Sequence, residues 1–334
     1  MFREFFSDED ILDIFKSNDE KVIISLNEKA RRITNSIYQN KIFIRGLIEI
    51  SNYCKNNCFY CGINNKMKIK RFRLSSDEII ASSKLAYKEG FRTFVLQGGE
   101  DSFFTDDILS RIIYSIKNLF PDTRITLSLG VRSKKSYKIL KESGADRYLL
   151  RFEAEDEIFK KLHESSQILN IRKKALLDLR EVGFVIGTGF LVDPPFTNHI
   201  NTLNSIKFIR ELEPEMIGIG PFIPAKGTIF EKYPAGSVKN TLKILSILRI
   251  ENPHSLIPST TALNTIDKDG RIKGILAGAN VVMPNISPDV AKENYKLYDN
   301  KNSTGLESLY GLKALDELLN EYGYEIDYSK GDNK

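Results

Sequence analysis

Cys54, Cys58 and Cys61 are the only cysteines in this 334-residue chain, and they share one eight-residue stretch, Cys54-Lys-Asn-Asn-Cys58-Phe-Tyr-Cys61. Random placement would crowd three cysteines so tightly on the order of one time in a thousand, so the spacing calls for a chemical reason. Three thiolates on one tight loop can hold three irons of a cubane 4Fe-4S cluster. Full ligation of such a cluster takes four cysteines, and the chain has no fourth. One iron is then open to bind a ligand rather than only to pass electrons. Two other readings are weaker. A structural zinc site closes with four Cys or His ligands, and its fourth would have to be His163, His199 or His254, all far along the chain. A disulfide with one thiol left over fits poorly with the charged, cysteine-poor remainder, which has the look of an intracellular protein.

The elements that must position this loop belong to an ordinary soluble globular chain, 41% hydrophobic and 28% charged. The net charge of +5 is a mild excess that demands no nucleic-acid partner. No apolar run reaches the length of a membrane span. The stretch Met1–Asp10 carries acids where a signal peptide needs a basic and then an apolar run. The expectation is a cytoplasmic protein in a reducing, anaerobic setting, because an open iron–sulfur cluster is oxygen-sensitive.

Residues 1–41 read as a helical cap, with Ser7-Asp-Glu-Asp10 as an N-cap and Ile11, Ile14 and Phe15 as its apolar face. Arg45–Ser51 reads as a buried strand feeding the cysteine loop. A basic run follows: Lys66, Lys68, Lys70, Arg71 and Arg73. The lysines read as a solvated loop, while alternation with Phe72 and Leu74 turns part of the run inward toward a charged ligand. From Ser75 helices and strands alternate. Helices are expected at 75–89, 105–119, 134–142, 155–163, 168–182, 198–212, 238–249 and 271–277. Strands are expected at 94–97, 125–129, 147–151, 185–190, 216–219, 256–259 and 279–283. With Arg45–Ser51 that makes eight parallel strands, the number that closes an α/β barrel of the (β/α)8, or TIM, type. A last helix is expected at 306–322, with a polar tail that frays. The organisation is one domain over 1–334: cap 1–41, barrel 42–300, C-terminal helix and tail 301–334.

In such barrels the site is built where strands end, and the unusual groups of this chain fall there. Gly98-Gly-Glu-Asp101 follows the second strand, Ser128 ends the third, and Arg151 and Glu153 follow the fourth. Gly220-Pro-Phe222 and Pro224 follow the sixth, Thr260 and Thr261 the seventh, and Met283-Pro-Asn285 the eighth. A lone Gly-Gly pair is usually a turn and a lone Met usually core; with the cysteine loop after the first strand, seven such features on one rim point to an enclosed site.

C-x3-C-x2-C after the first strand, an aromatic before the last cysteine and Gly-Gly-Glu after the second strand together resemble the radical S-adenosylmethionine (SAM) superfamily. Within it the chain is similar to the biotin-synthase-like branch, and there to the iron-iron hydrogenase maturases of the HydE group. The stretches that carry this are Cys58-Phe-Tyr-Cys-Gly62, Leu96-Gln-Gly-Gly-Glu-Asp101, Thr126-Leu-Ser-Leu-Gly130, Ala145–Arg151, Ile217–Pro224, Ile257–Ala262 and Gly278–Asn285. The resemblance implies that Cys54, Cys58 and Cys61 ligate the cluster and that SAM chelates its open iron. It implies Tyr60, Ile219 and Phe222 near the adenine, and Gly98, Gly99 and Glu100 at the SAM ammonium. Ser128 and Glu153 would meet its hydroxyl and amino groups, and Arg172 its carboxylate. Gln97, Thr260, Thr261, Met283 and Tyr298 would line a deeper substrate cavity. Three departures stand out. Ala154 replaces the usual Thr, Pro194-Pro-Phe-Thr197 replaces Pro-Gly-Gln-Thr, and the C-terminal cysteine trio of many maturases is missing.

The implied reaction is reductive cleavage of SAM to methionine and a 5′-deoxyadenosyl radical. That radical would act on a small-molecule or organometallic substrate in assembly of the iron-iron hydrogenase cluster. Implied partners are a reductant such as flavodoxin or ferredoxin, and other hydrogenase-maturation proteins. A methylornithine-synthase-like mutase, a divergent relative with another small substrate, and a non-catalytic iron–sulfur carrier are the alternatives. Biotin synthase fits less well, since no spare cysteine exists to hold its second cluster.

Overall fold

The computed structural model describes residues 4–301 and 305–334. Residues 1–3 of the expected acidic N-terminus, and 302–304 beside the expected boundary at 301, lie outside the described residues. Two helices come first, α1 (Asp8–Lys16) and α2 (Glu20–Tyr38). Ser7 and Asp10 form a reciprocal capping box on α1, and the Asp19 carboxylate caps α2. Their apolar faces, including Ile11, Phe15, Leu26 and Ala30, bury in one cluster with Ile206, Ile209, Ile244 and Ile247.

The alternating part runs β1 (Lys41–Ile44), β2 (Gly46–Ser51), α3 (Ser76–Lys88), β3 (Thr93–Gly98), α4 (Asp106–Leu119), β4 (Arg124–Ser128), α5 (Lys134–Glu142) and β5 (Arg147–Leu149). It continues with α6 (Asp156–Leu162), α7 (Leu169–Glu181), β6 (Val185–Thr188), β7 (Leu191–Val192), α8 (His199–Leu212), β8 (Met216–Ile217), β9 (Gly220–Pro221) and α9 (Val238–Glu251). Then come α10 (Thr261–Ile266), α11 (Gly270–Leu276), β10 (Val281–Val282), α12 (Asp289–Asn294), α13 (Leu312–Glu321) and β11 (Glu325–Asp327). Strands β2, β3, β4, β5, β6 and β8 lie side by side in that order, all parallel. Single parallel bridges, Met216 to Leu256, Pro258 to Val281 and Leu47 to Asn285, carry the sheet round and close the barrel. The β2 strand is buried along its whole length, as a parallel strand covered on both faces should be.

Several expected strands are shorter than the sequence suggests. The seventh reduces to bridges at Leu256 and Pro258, because proline lacks the N–H a ladder needs. The fifth breaks at Gly189, where an added Cβ would lie 1.9 Å from the Gly218 carbonyl oxygen. The expected helix at 306–322 is two 3-10 turns, Gly305–Glu307 and Leu309–Gly311, followed by α13. The tail does not fray. Strand β11 pairs in parallel with β1, Lys41 opposite Glu325, and Tyr324 is buried. Beyond it the Lys330 and Gly331 carbonyls each accept from Arg147 Nη2 at 2.9 Å.

Candidate active site

Parallel strands all end on one rim, and that rim carries the cysteine loop. Its backbone is stapled by Arg71, which donates to the carbonyls of Asn52, Ile63, Asn64 and Met67. Asn64 Nδ2 donates to the Cys58 and Cys61 carbonyls at 3.2 and 2.9 Å. Arg73 forks onto Asp101, Nε to Oδ2 at 2.7 Å and Nη2 to Oδ1 at 3.0 Å, and Ser51 donates to the same carboxylate. The expectation that these arginines face a charged ligand is therefore corrected: both are spent on holding the loop. The loop after β3 presses against it, so that a Cβ on Gly99 would come within 2.2 Å of the Tyr53 carbonyl oxygen.

The charged groups sit beside the thiols. The Glu100 side chain fills the space over Gly130, where a Cβ would lie 1.9 Å from its Cγ and 2.4 Å from its Oε1. Its carboxylate meets the cations nearby, 3.5 Å from Arg172 Nη1 and 3.6 Å from Lys55 Nζ. Arg172, on α7, also donates Nε to the Arg151 carbonyl at 2.9 Å. Burial pulls the Arg172 guanidinium down, but Glu100 and Glu153 outweigh it and leave it above its ordinary value. Glu153 adopts a φ of 72°, a strained conformation for a residue with a side chain, and its carboxylate lies 3.1 Å from Arg151 Nη2. Burial pushes all three thiols up, that of Cys58 to about 12. Gln167 Nε2 donates to the Cys58 Sγ at 3.5 Å.

These groups enclose a cavity of about 270 Å³. Of the residues singled out in the sequence, it brings together Cys54, Cys58, Tyr60, Cys61, Gln97, Gly98, Gly99, Glu100, Ser128, Glu153, Arg172, Phe222, Thr260 and Tyr298. Three others stand away from its wall. Ile219 shares its face with Ile217 and packs outward among the helices. Thr261 opens α10 and gives its hydroxyl to Glu307 Oε2 at 2.8 Å. Met283 packs on Met216, Leu256 and Val281. Ala154 lies in an apolar cluster with Ile158, Leu162, Phe222 and Phe230. The Pro194–Thr197 loop lines a separate groove, with Phe196 against Phe230 and Tyr233.

The sequence reading missed Tyr295, which lines the cavity and accepts from Gln97 Nε2 at 3.4 Å; its spacing of three from Tyr298 was the available signal. It also passed over His163 except as a distant zinc ligand. His163 reaches the wall because its backbone bridges to Cys58. Burial holds its imidazole down at about 3. His199 and His254 are elsewhere. Among the described residues no three His, Cys, Asp or Glu gather as a single metal ion requires. Arg151 Nε, His163 Nε2 and Thr260 Oγ1 are buried, lack a hydrogen-bond partner, and belong to residues of this wall. Buried polar atoms left so are costly, and their gathering on one cavity marks a site shaped for a polar ligand. The thiols, the glycine cradle and these open groups fit a cluster and SAM.

Residues 48–209 match the family model described as the Radical SAM superfamily. The chain is 37% identical over 301 residues to the [FeFe] hydrogenase maturase subunit HydE of Thermotoga maritima, covering 90% of this chain and 86% of that one. It is 31% identical over 300 residues to a 3-methylornithine synthase of Methanosarcina acetivorans, covering 88% of this chain and 83% of the relative. Among solved structures, that of methylornithine synthase (PylB) superposes with a TM-score of 0.84 at 25% identity, over 97% of this chain and 95% of that one. The maturase HydG superposes with a TM-score of 0.81 at 21% identity, over 97% of this chain and 73% of that one.

Proposed function

The chain belongs to the radical SAM superfamily, and from that premise we propose that it is a HydE-like enzyme acting in maturation of the iron-iron hydrogenase. When bound, a 4Fe-4S cluster and SAM supply reductive carbon–sulfur cleavage and hydrogen-atom abstraction. The chain's own residues do the rest. Cys54, Cys58 and Cys61 hold the cluster, and Arg71 and Arg73 fix the loop that presents them. Glu100 and Arg172 bind the ammonium and carboxylate of SAM, one anionic and one cationic group already set against each other. Ser128 and Glu153 take its hydroxyl and amino groups. Tyr60 and Phe222 give the adenine flat apolar walls. Gln97, Thr260, Tyr295 and Tyr298 orient the substrate. Met283 and Thr261 support this wall from behind. The site lies in a recess of the barrel, and a bound SAM that fills it displaces water, which protects reactive species. The single barrel unit over 1–334, with its helical cap, barrel and C-terminal helix, remains our reading of the domain organisation.

The observation that carries the proposal is the meeting of three thiols with buried polar atoms of Arg151, His163 and Thr260 that lack a hydrogen-bond partner, all on one cavity wall. No helix of the described residues is long and apolar enough to cross a membrane, in keeping with a cytoplasmic enzyme served by a flavodoxin or ferredoxin. The second reading, a methylornithine-synthase-like mutase, is favoured by the fold match over almost the whole of both chains. Anaerobic protein given SAM and dithionite should form 5′-deoxyadenosine; an iron–sulfur carrier would form none. Restored hydrogenase activity in a strain lacking its HydE then selects the maturase, and no restoration selects the mutase reading.

A further inference from the structure

We propose that His163 recognises the 6-amino group of the adenine of SAM, so that the site takes adenine and rejects a 6-keto purine. The inference rests on the radical SAM reading and adds a residue that none of the motifs contains. His163 Nδ1 lies 2.9 Å from the Phe159 carbonyl oxygen. A carbonyl can only accept, so Nδ1 carries the proton of the neutral imidazole and Nε2 is left as a pure acceptor. Nε2 is buried and has no partner, in a side chain that lines the cavity and is 2% exposed.

The ring cannot turn to relieve this. It stacks on Phe159 with centroids 3.9 Å apart and meets the edge of Tyr60 at 5.6 Å. The backbone bridge to Cys58 fixes its distance from the cysteine loop. The cavity wall carries two kinds of group. Glu100 pairs with Arg172 and Glu153 with Arg151, which makes a charged part. Tyr60, Leu191 and Phe222 pack in one apolar cluster, and His163 joins them through its contact with Tyr60. A purine is the part of SAM that suits flat apolar walls. Its 6-amino group is its one exocyclic donor. The ammonium and hydroxyl donors of SAM have the Glu100 and Glu153 carboxylates to meet, and the lone pair of Nε2 is matched to the amine. A keto group in that place would set two lone pairs against each other and leave Nε2 unsatisfied.

The test uses unreactive probes, so it reads binding and not turnover. Cluster-reconstituted protein is titrated calorimetrically with S-adenosylhomocysteine and with its deaminated form, S-inosylhomocysteine. The wild type should prefer the adenine form by about tenfold or more, as expected when a buried acceptor loses its donor. His163→Leu should bring the two affinities within about threefold of each other. His163→Gln, whose amide can accept or donate, should bind both forms comparably. Equal binding of the two probes by the wild type, a measurement that needs no variant to fold, would overturn the proposal and leave the radical SAM reading standing. Full preference retained in His163→Leu would do the same. Binding of neither probe by the wild type would overturn both.

Discussion

At the scale of single residues, the site depends on three thiols that burial alone would keep protonated, that of Cys58 with a pKa of about 12. Their protons must be displaced by metal, as thiolate ligands require. Reconstituted protein should therefore carry about four irons and four sulfides per chain, the cubane stoichiometry; eight irons would refute the single-cluster assignment. Cys58→Ala should abolish formation of 5′-deoxyadenosine while thermal unfolding of the metal-free protein stays nearly unchanged, because the loop adds little to the core. Glu100 is a sharper probe. Its carboxylate lies 3.5 Å from Arg172 and its side chain is packed over Gly130, so Glu100→Gln keeps the shape and removes only the charge. Loss of a charge-assisted hydrogen bond costs roughly 1.5–3 kcal/mol. SAM affinity measured by titration should fall about tenfold or more, and unchanged affinity would remove Glu100 from the binding set. Cysteine spacing made the thiols legible, and chemistry at strand ends did the same for Glu100. His163 was not legible, since a lone histidine announces nothing until the fold sets its backbone against Cys58.

At the scale of elements, the cysteine loop is held from outside itself. Arg71 reaches four carbonyls along 52–67, which fixes a segment that no helix or ladder supports. Arg71→Met keeps much of the side-chain bulk and removes every donor. Amides of residues 52–67 should then exchange with solvent at least about tenfold faster, the equivalent of one lost charged hydrogen bond, and the cluster should be lost sooner on exposure to chelator. If exchange changes equally over the whole barrel, the arginine stabilises the fold and not the loop. The alternation of strands with helices could be read from sequence because parallel strands buried on both faces make short, mainly apolar runs, as in Phe94–Leu96, or in Ile125–Leu127 with its β-branched Thr126. The seventh strand was harder. Pro258 breaks its ladder to isolated bridges, so only its place in the alternation identified it. Met283 and Ile219 were misplaced for a related reason: sequence shows that a residue ends a strand, whereas the side of the barrel it faces depends on a register set by distant neighbours.

At the scale of the whole molecule, the barrel is closed at its far end by the tail, which the sequence presented as polar and unstructured. Its partners are remote: β11 finds β1 across almost the whole chain, and no local pattern encodes such a pairing. The tail answers a problem created inside the barrel, where Arg45 and Arg147 are 5% and 1% exposed. Burial pulls both guanidinium groups down. Arg147 is compensated by the Lys330 and Gly331 carbonyls and by Asp332 Oδ1 at 2.6 Å. Removing residues 330–334 should thus cost about 3–5 kcal/mol, the usual result of stripping one partner from a buried charge, read as a lowered denaturation midpoint. The same contacts predict a pH dependence. Its hydrogen bond to Arg124, followed by that to Arg147, holds the Asp332 carboxyl down to about 2 from 3.8. A depressed carboxylate adds stability above its unfolded value and loses it as the pH falls, so this contribution is complete above about pH 4 and disappears between there and about pH 2. The side chain is 46% exposed, and solvent screening reduces the effect to about 1 kcal/mol. Asp332→Asn should be less stable than wild type at neutral pH and should converge with it at the acid end of that window. Urea titrations across the window measure the gap; a gap that stays constant as the pH falls would show that the tail is held by its backbone carbonyls alone.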